Sequence, residues 1–75
     1  MADLSQINEH QEVIGADGAH VGTVDHAGDG QIKLTKNDSD DGKHHIIPGD
    51  WVERIDEHVH LNVTSNEAKQ RWTEA

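Results

Sequence analysis

The sequence predicts one small, mainly β domain, with five or six short strands and a short helix at its carboxyl-terminal end. Asp-Gly occurs three times at intervals of twelve residues, and this dipeptide is a strong signal for tight turns between strands. Short runs with alternating apolar residues separate these turns, which is typical of a small β-barrel or sandwich. The three dipeptides are Asp17-Gly18, Asp29-Gly30 and Asp41-Gly42.

Six segments have the composition and alternation of short strands. In one of them, Ile32 and Leu34 are expected to face one way and Lys33 the other, because successive side chains of a strand alternate. Gly22, between two valines, predicts a bulge or a sharp bend, as a tightly curved sheet requires. The six segments are residues 11–15, 20–26, 31–35, 44–48, 51–56 and 58–63.

The adjacent histidines His44 and His45 cannot both face outward from a regular strand. We expect His45 to be the partly buried one, since it shares a face with Ile47 just before Pro48. A buried imidazole needs a hydrogen-bond partner, so a satisfied core histidine is the favoured interpretation over a functional one.

Residues 64–74 are predicted to form the helix. Thr64 and Glu67 have the spacing of a capping box, and Ala68 and Trp72 share one helix face. A helix of this length is marginal alone in water, so it must dock. Ala68 and Trp72 are therefore candidate interaction residues. The favoured destination is one open end of the chain's own barrel, and the alternative is a second copy, so a monomer or a homodimer is expected.

The domain organisation follows from these elements: a single domain over 1–75, with a flexible segment 1–9, a barrel 10–63 and the helix 64–74. The branched aliphatic residues make up a fifth of the chain, and Phe and Tyr are absent, so the core must be small. Trp51 and Trp72 are the largest apolar side chains available to it.

The charge balance limits the classes of partner. Fifteen acidic residues against six basic ones give a formal net charge of −9, and there is no cluster of Lys and Arg, so nucleic-acid binding is not expected. Seven histidines could cancel most of this charge at mildly acidic pH. No cysteine, signal peptide or membrane-spanning run is present, which predicts a cytoplasmic protein without disulfides or membrane contact.

Two groups of residues are candidates for metal binding. The stretch KNDSDDGKHH (36–45) approaches the spacing of a calcium loop, but Pro48 stands where the bidentate Glu is required, so a solvated turn is expected instead. Asp56, His58 and His60 leave one face of a regular strand, and two imidazoles with a carboxylate suit zinc. The favoured alternative is that these polar side chains simply face water while the neighbouring valines and Leu61 face the core.

Catalysis finds no support in the sequence. There is no thiol nucleophile, and Ser5, Ser39 and Ser65 fall in predicted loops or termini without the context of a catalytic triad. The glycine-containing turns lack a following helix, which makes them poor phosphate-binding loops. We therefore expect neither an enzyme nor a cofactor.

Two stretches resemble the PRC-barrel family: VIGADGAHVGTVD (13–25) and IIPGDWV (46–52). The resemblance covers roughly residues 12–62, and the whole chain also looks like a family of small bacterial proteins known only as a domain of unknown function. It implies an SH3-like β-barrel and protein–protein contacts as the usual role. The expected function is a non-enzymatic interaction module with an unknown protein partner, and the alternative is a divalent-metal-binding protein that uses its histidines.

Overall fold

The computed structural model of the protein describes residues 4–37, 39 and 42–74. These residues form one seven-stranded sheet and one α-helix, with two short 3-10 helices. The strands are β1 (Glu12–Ile14), β2 (His20–Gly28), β3 (Gln31–Leu34), β4 (His45–Pro48), β5 (Val52–Ile55), β6 (Val59–Leu61) and β7 (Thr73–Glu74); the helix is α1 (Ser65–Arg71), and the 3-10 helices are Leu4–Gln6 and Gly49–Trp51.

The strands lie in the order β5-β6-β1-β2-β3-β4-β7. Strands β1 to β4 are consecutive antiparallel neighbours, and β5 and β6 form a second antiparallel pair. The two groups are joined by a parallel pairing of β1 with β6, in which Val13 lies opposite Val59. All six predicted strand segments are therefore present, and the mainly β class is confirmed.

The predicted closed barrel is not confirmed, because the sheet in the described part of the chain is open between its edge strands β5 and β7. Both edges are poorly suited to further pairing. Strand β7 has two residues, and β5 carries an extra residue, Glu53, where its register with β6 shifts. Short and bulged edge strands of this kind resist the addition of another strand.

The turn between β2 and β3 is the tight hairpin that Asp-Gly predicts. Asp29 and Gly30 have φ angles of 55° and 77°, the two positive values that a type I′ turn requires. The first dipeptide differs, since of its two residues only Gly18 has a positive φ. Asp41 of the third dipeptide lies outside the described residues.

Strand β2 contains two extra residues relative to its neighbours. Val21 is inserted between His20, which pairs with Ile14, and Gly22, which pairs with Val13. Asp25 is inserted in the same way opposite β3. The bulge expected at Gly22 is thus found one residue earlier. It explains how Val21 and Val24, three residues apart, are both buried.

The core consists of aliphatic residues from six strands, together with Trp51, Val63 and Ala68. The alternation predicted for β3 is confirmed, since Ile32 and Leu34 are buried and Lys33 is partly exposed. Strand β4 alternates in the same manner, with His45 and Ile47 buried. The buried apolar residues are Val13, Val21, Val24, Ile32, Leu34, Ile47, Trp51, Val52, Val59, Leu61, Val63 and Ala68.

The amino-terminal segment, predicted to be flexible over 1–9, is described from residue 4 onward and forms a 3-10 helix at Leu4–Gln6. Leu4 and Ile7 are partly buried and pack against the core. Gly49 lies directly beneath Leu4. These contacts cover apolar surface that the small sheet would otherwise expose.

Helix α1 begins as predicted, with the Thr64 hydroxyl accepting a hydrogen bond from the backbone N–H of Glu67 at 3.1 Å. The Asp17 carboxylate also accepts hydrogen bonds from the N–H and the hydroxyl of Ser65, each at 3.2 Å. The hydrogen bond from the Ser65 N–H, first among the causes, lowers the pKa of Asp17. The β1–β2 connection is therefore fixed to the first turn of the helix.

Helix α1 ends at Arg71, earlier than the predicted 64–74, because Trp72 adopts an extended backbone conformation. The following residues, Thr73 and Glu74, pair with β4 as strand β7. The Trp72 indole stacks on the imidazole of His45, with ring centroids 3.9 Å apart and an interplanar angle of 12°. Ala68 is fully buried, so the helix packs on the sheet of its own chain.

Trp72→Ala is expected to lower the melting temperature by several degrees, because it removes the indole from His45 and from the core edge. Circular dichroism melting would measure the shift, and analytical ultracentrifugation would measure the oligomeric state. We expect wild type and variant both to be monomers. A concentration-dependent dimer that dissociates in the variant would instead make the helix an association element.

Candidate functional site

Strand β6 separates apolar from polar side chains as the sequence predicts. Val59 and Leu61 are fully buried, while His58 and His60 lie on the opposite face of the sheet. The His60 side chain is 19% exposed and that of His58 is 39% exposed. The two imidazoles are neighbours in an edge-on arrangement, with ring centroids 6.2 Å apart.

Asp56 lies in the turn between β5 and β6, and its carboxylate organises that turn. Oδ1 accepts the backbone N–H of His58 at 2.9 Å and lies 2.8 Å from Nε2 of His60. The Arg54 guanidinium approaches the other oxygen at 3.9 Å. The His58 N–H, followed by the His60 imidazole, lowers the pKa of Asp56, so the carboxylate stays ionised through the neutral range.

Glu12 of β1 contacts both β2 and the turn before β6 through its two carboxylate oxygens. Oε2 lies 2.8 Å from Nδ1 of His20, and Oε1 lies 3.0 Å from Nε2 of His58. The hydrogen bond with His20, the largest cause, lowers the pKa of Glu12. Sequence reasoning missed both Glu12 and His20. A regular pairing of β1 with β2 is the signal that could have indicated their contact. The bulge at Val21 shifts that pairing by one residue.

These residues form what we call the histidine–carboxylate cluster: Glu12, His20, Asp56, His58 and His60. The predicted set Asp56, His58 and His60 is brought together, but the ring nitrogens do not converge. Nε2 of His58 contacts Glu12, whereas Nε2 of His60 contacts Asp56. Among the residues that the structure describes, no group of three or more His, Asp or Glu side chains could hold a metal ion.

A shallow groove of about 590 Å³ lies beside the histidine–carboxylate cluster, on the outer face of β1, β5 and β6. Half-buried Ile14 provides apolar surface, and the connection after β1 contributes small residues. Charged side chains from β5 and an imidazole from β6 complete its lining. The lining residues are Ile14, Gly15, Ala16, Gly18, Glu53, Arg54 and His60.

The remaining sequence candidates lie elsewhere. His45 is buried against Trp72, as a core histidine. His44 donates from Nδ1 to the carbonyl of Leu34 at 3.0 Å, which is a structural contact at the edge of β3. Three aspartates of the possible calcium loop, Asp38, Asp40 and Asp41, lie outside the described residues.

The carboxylate of Glu12 should stabilise the fold in a pH-dependent way. Because its pKa is lowered on folding, its contribution is present above the ordinary carboxyl value of 4.5 and is lost as the pH falls through the lower, folded-state value. We expect Glu12→Gln to lower the melting temperature slightly at pH 7 and by less at pH 3. Glu57→Gln, at an exposed carboxylate in the β5–β6 turn, is the control. Equal shifts at both pH values would contradict this linkage.

The fold and the outer-face groove define a small, open-sheet β domain whose polar face carries paired histidines and carboxylates. Over residues 7–69 the chain matches the family described as "Uncharacterized protein conserved in bacteria (DUF2171)". The chain belongs to this family. The comparisons of this chain with curated proteins and with solved structures found no match. The described part of the chain has no helix long and apolar enough to cross a membrane.

Proposed function

We propose that the protein is a non-enzymatic interaction module that receives a segment of a partner protein in the outer-face groove. The observation that carries this proposal is the groove itself, whose lining combines half-buried Ile14 and small residues with charged and hydrogen-bonding side chains. Protein interaction surfaces commonly combine apolar and polar side chains in this way.

The edges of the sheet are weaker candidates for the same role. Partners that add a strand need a regular edge with free backbone groups. Strand β7 has two residues, and β5 is interrupted at Glu53. The groove on the face of the sheet therefore accounts better for partner binding than strand addition does.

The two stretches that resemble the PRC-barrel family, 13–25 and 46–52, favour the same class of function. Members of that family are mostly interaction domains, so a related, SH3-like role is consistent with a small β domain. This support is an analogy drawn from short sequence stretches, and the particular surface must be argued from the groove.

Two exposed alanines in the β1–β2 connection allow a matched test. Ala16 lines the groove and Ala19 does not. An unbiased peptide library would be selected against the wild-type protein, and the enriched peptides titrated against Ala16→Gln and Ala19→Gln. We expect binding to weaken at least tenfold in Ala16→Gln and to stay within about twofold of wild type in Ala19→Gln, because only the first added side chain occupies the groove.

Nuclear magnetic resonance of the labelled protein would locate the bound peptide. Shift changes centred on Ile14, Arg54 and His60 are expected. A library that yields no binder, or a binder whose shift changes lie on β3 and β4, would overturn the proposal. Circular dichroism of both alanine variants would show whether they remain folded.

The alternative function, a divalent-metal-binding protein, rests on the 2.8 Å contact of Asp56 with His60 and the neighbouring His58. The orientation of the two imidazoles toward different carboxylates makes it the weaker proposal. Native mass spectrometry with zinc separates the two. We expect the wild-type protein to form no stoichiometric zinc adduct that depends on His58 and His60. The double variant His58→Ala/His60→Ala is the comparison. Such an adduct, absent from the double variant, would favour the metal function.

A further inference from the structure

We propose that the groove takes a cationic, extended segment of the partner at neutral pH, and that protonation of the surrounding histidines releases this segment as the pH falls. This inference rests on the proposed function and adds the chemistry of the partner and a means of regulation. It is carried by the charges around the groove and by the pairing of each outer-face imidazole with a carboxylate.

Carboxylates dominate the elements that line the groove. The turn after β5, the connection after β1 and the two strands themselves carry five of them, of which Glu53 lines the groove, against the single guanidinium of Arg54. That guanidinium lies 3.9 Å from Asp56 and is therefore partly offset. The net charge of the whole chain is −9, which also favours the approach of a basic partner. The five carboxylates are Glu12, Asp17, Glu53, Asp56 and Glu57.

The lining of the groove also suits an extended cationic segment. Gly15, Ala16 and Gly18 leave room for a peptide backbone along one side, and Ile14 offers a contact for an aliphatic stem. Lysine and arginine have such stems and carry their charge at the far end. In an extended peptide alternate side chains point the same way, so alternate cationic residues could reach the carboxylate rim while small residues face outward.

The histidines can remove this attraction without a change of fold. A neutral imidazole that donates its N–H orients a carboxylate and leaves the negative charge in place. An imidazolium at the same position neutralises it. Glu12 contacts His20 and His58 at once, and Asp56 contacts His60, so three protonations would reduce the excess of four negative charges on these elements to one. Imidazoles ordinarily titrate between about pH 5 and 8.

The lowered pKa values of Glu12 and Asp56 support the same sequence of events. Both carboxylates remain ionised while imidazoles are protonated, so acidification converts hydrogen bonds into ion pairs. The cationic segment then competes with internal cations for the same oxygens. The other charged groups that line the groove together with His60 are Glu53 and Arg54 of β5.

Fluorescence anisotropy would test the inference with a rhodamine-labelled peptide of alternating lysine and alanine. The matched probe alternates glutamate and alanine. Titrations are run at pH 7.5 and pH 5.5 at one ionic strength near 0.15 M, since exposed charges are screened by salt. We expect the wild type to bind the lysine peptide about tenfold more weakly at pH 5.5 and to bind the glutamate peptide at neither pH.

Two variants assign the pH dependence. In His20→Gln/His58→Gln/His60→Gln, the amides can still donate to the carboxylates but cannot become cationic, so the change between the two pH values should fall below about threefold. In His10→Gln/His26→Gln, which alters two histidines outside the cluster, the tenfold change should remain. A tenfold change that persists in the triple variant would overturn the histidine mechanism.

The charge of the bound segment and the proposed function can fail separately. If the lysine peptide does not bind at pH 7.5, the cationic segment is wrong. The peptide library then decides the broader proposal: neutral or acidic peptides whose binding is lost in Ala16→Gln would preserve the interaction module. If the lysine peptide binds equally well to Ala16→Gln, the groove is not its site, and the inference is overturned.

Discussion

Gly15→Ala is expected to lower the melting temperature of the protein by roughly 10 to 20 °C. A methyl group on Gly15 would lie 2.5 Å from the backbone nitrogen of Ser65 and 2.9 Å from the carbonyl carbon of Thr64. These are backbone atoms at the start of α1, so they cannot rotate away. The hairpin and the helix would have to separate by a substantial fraction of an ångström, which costs about 2 to 3 kcal/mol in a packed structure.

Separation would also break the hydrogen bonds that join these elements. Asp17 accepts two from Ser65, and the N–H of Ala16 donates to the carbonyl of Val63 at 2.7 Å. Gly28→Ala is the matched control, since a methyl group there meets only the Nε2 atom of His26 at 3.6 Å. Thermal melting by circular dichroism would compare the two. Similar small shifts for both variants would show that the close approach at Gly15 is not rigid.

Ile47→Ala is expected to lower the free energy of unfolding by about 3 kcal/mol. Ile47 is fully buried and stands opposite Ile32 in the β3–β4 pair. A domain of this size has a free energy of unfolding of only about 5 kcal/mol, so the variant should unfold at much lower denaturant concentration. Chemical denaturation followed by tryptophan fluorescence would measure the change in midpoint.

The adjacent residue gives the control for this prediction. Ile46 has the same side chain and lies on the same strand, but it is partly exposed on the opposite face, near Thr73 of β7. We expect Ile46→Ala to cost about 1 kcal/mol or less. If both substitutions cost the same, the burial difference between the two faces of β4 would not govern stability.

Local sequence patterns predicted most of the strands because their signals are short-range. The alternation of Ile32, Lys33 and Leu34 assigns the two faces of β3, and Asp29-Gly30 has the backbone angles that its turn requires. The cap of α1 by Thr64 is likewise a contact between residues three apart. These features depend on backbone geometry that neighbouring residues largely determine.

Long-range pairing could not be predicted in the same way. No local sequence pattern indicates that β6 pairs with β1 in parallel or that the sheet is open between β5 and β7. The pairing and the open edges both depend on packing between residues distant in sequence. The predicted end of the helix was wrong for a related reason. Trp72 has an extended backbone and stacks on His45, which is distant in sequence.

The candidate site was predicted in part. Two histidines and an aspartate at alternate positions of one strand and its turn were recognisable, and the structure does place Asp56 against His60. Glu12 and His20 were not recognised, because their meeting depends on the bulge at Val21. The groove depends on loop packing after β1 and has no sequence signature.

The parallel pairing of β1 with β6 has a consequence for synthesis of the chain on the ribosome. Val13 is made first, and Val59 follows only after the intervening segment, which contains β2 to β5, has been made. Until then β1 can pair with β2 alone, and its other edge stays open. Parallel pairing across so long a loop is a slow step in folding. The nascent chain therefore presents an unpaired strand edge until β6 has been made, and a chaperone or a neighbouring nascent chain would meet that edge first.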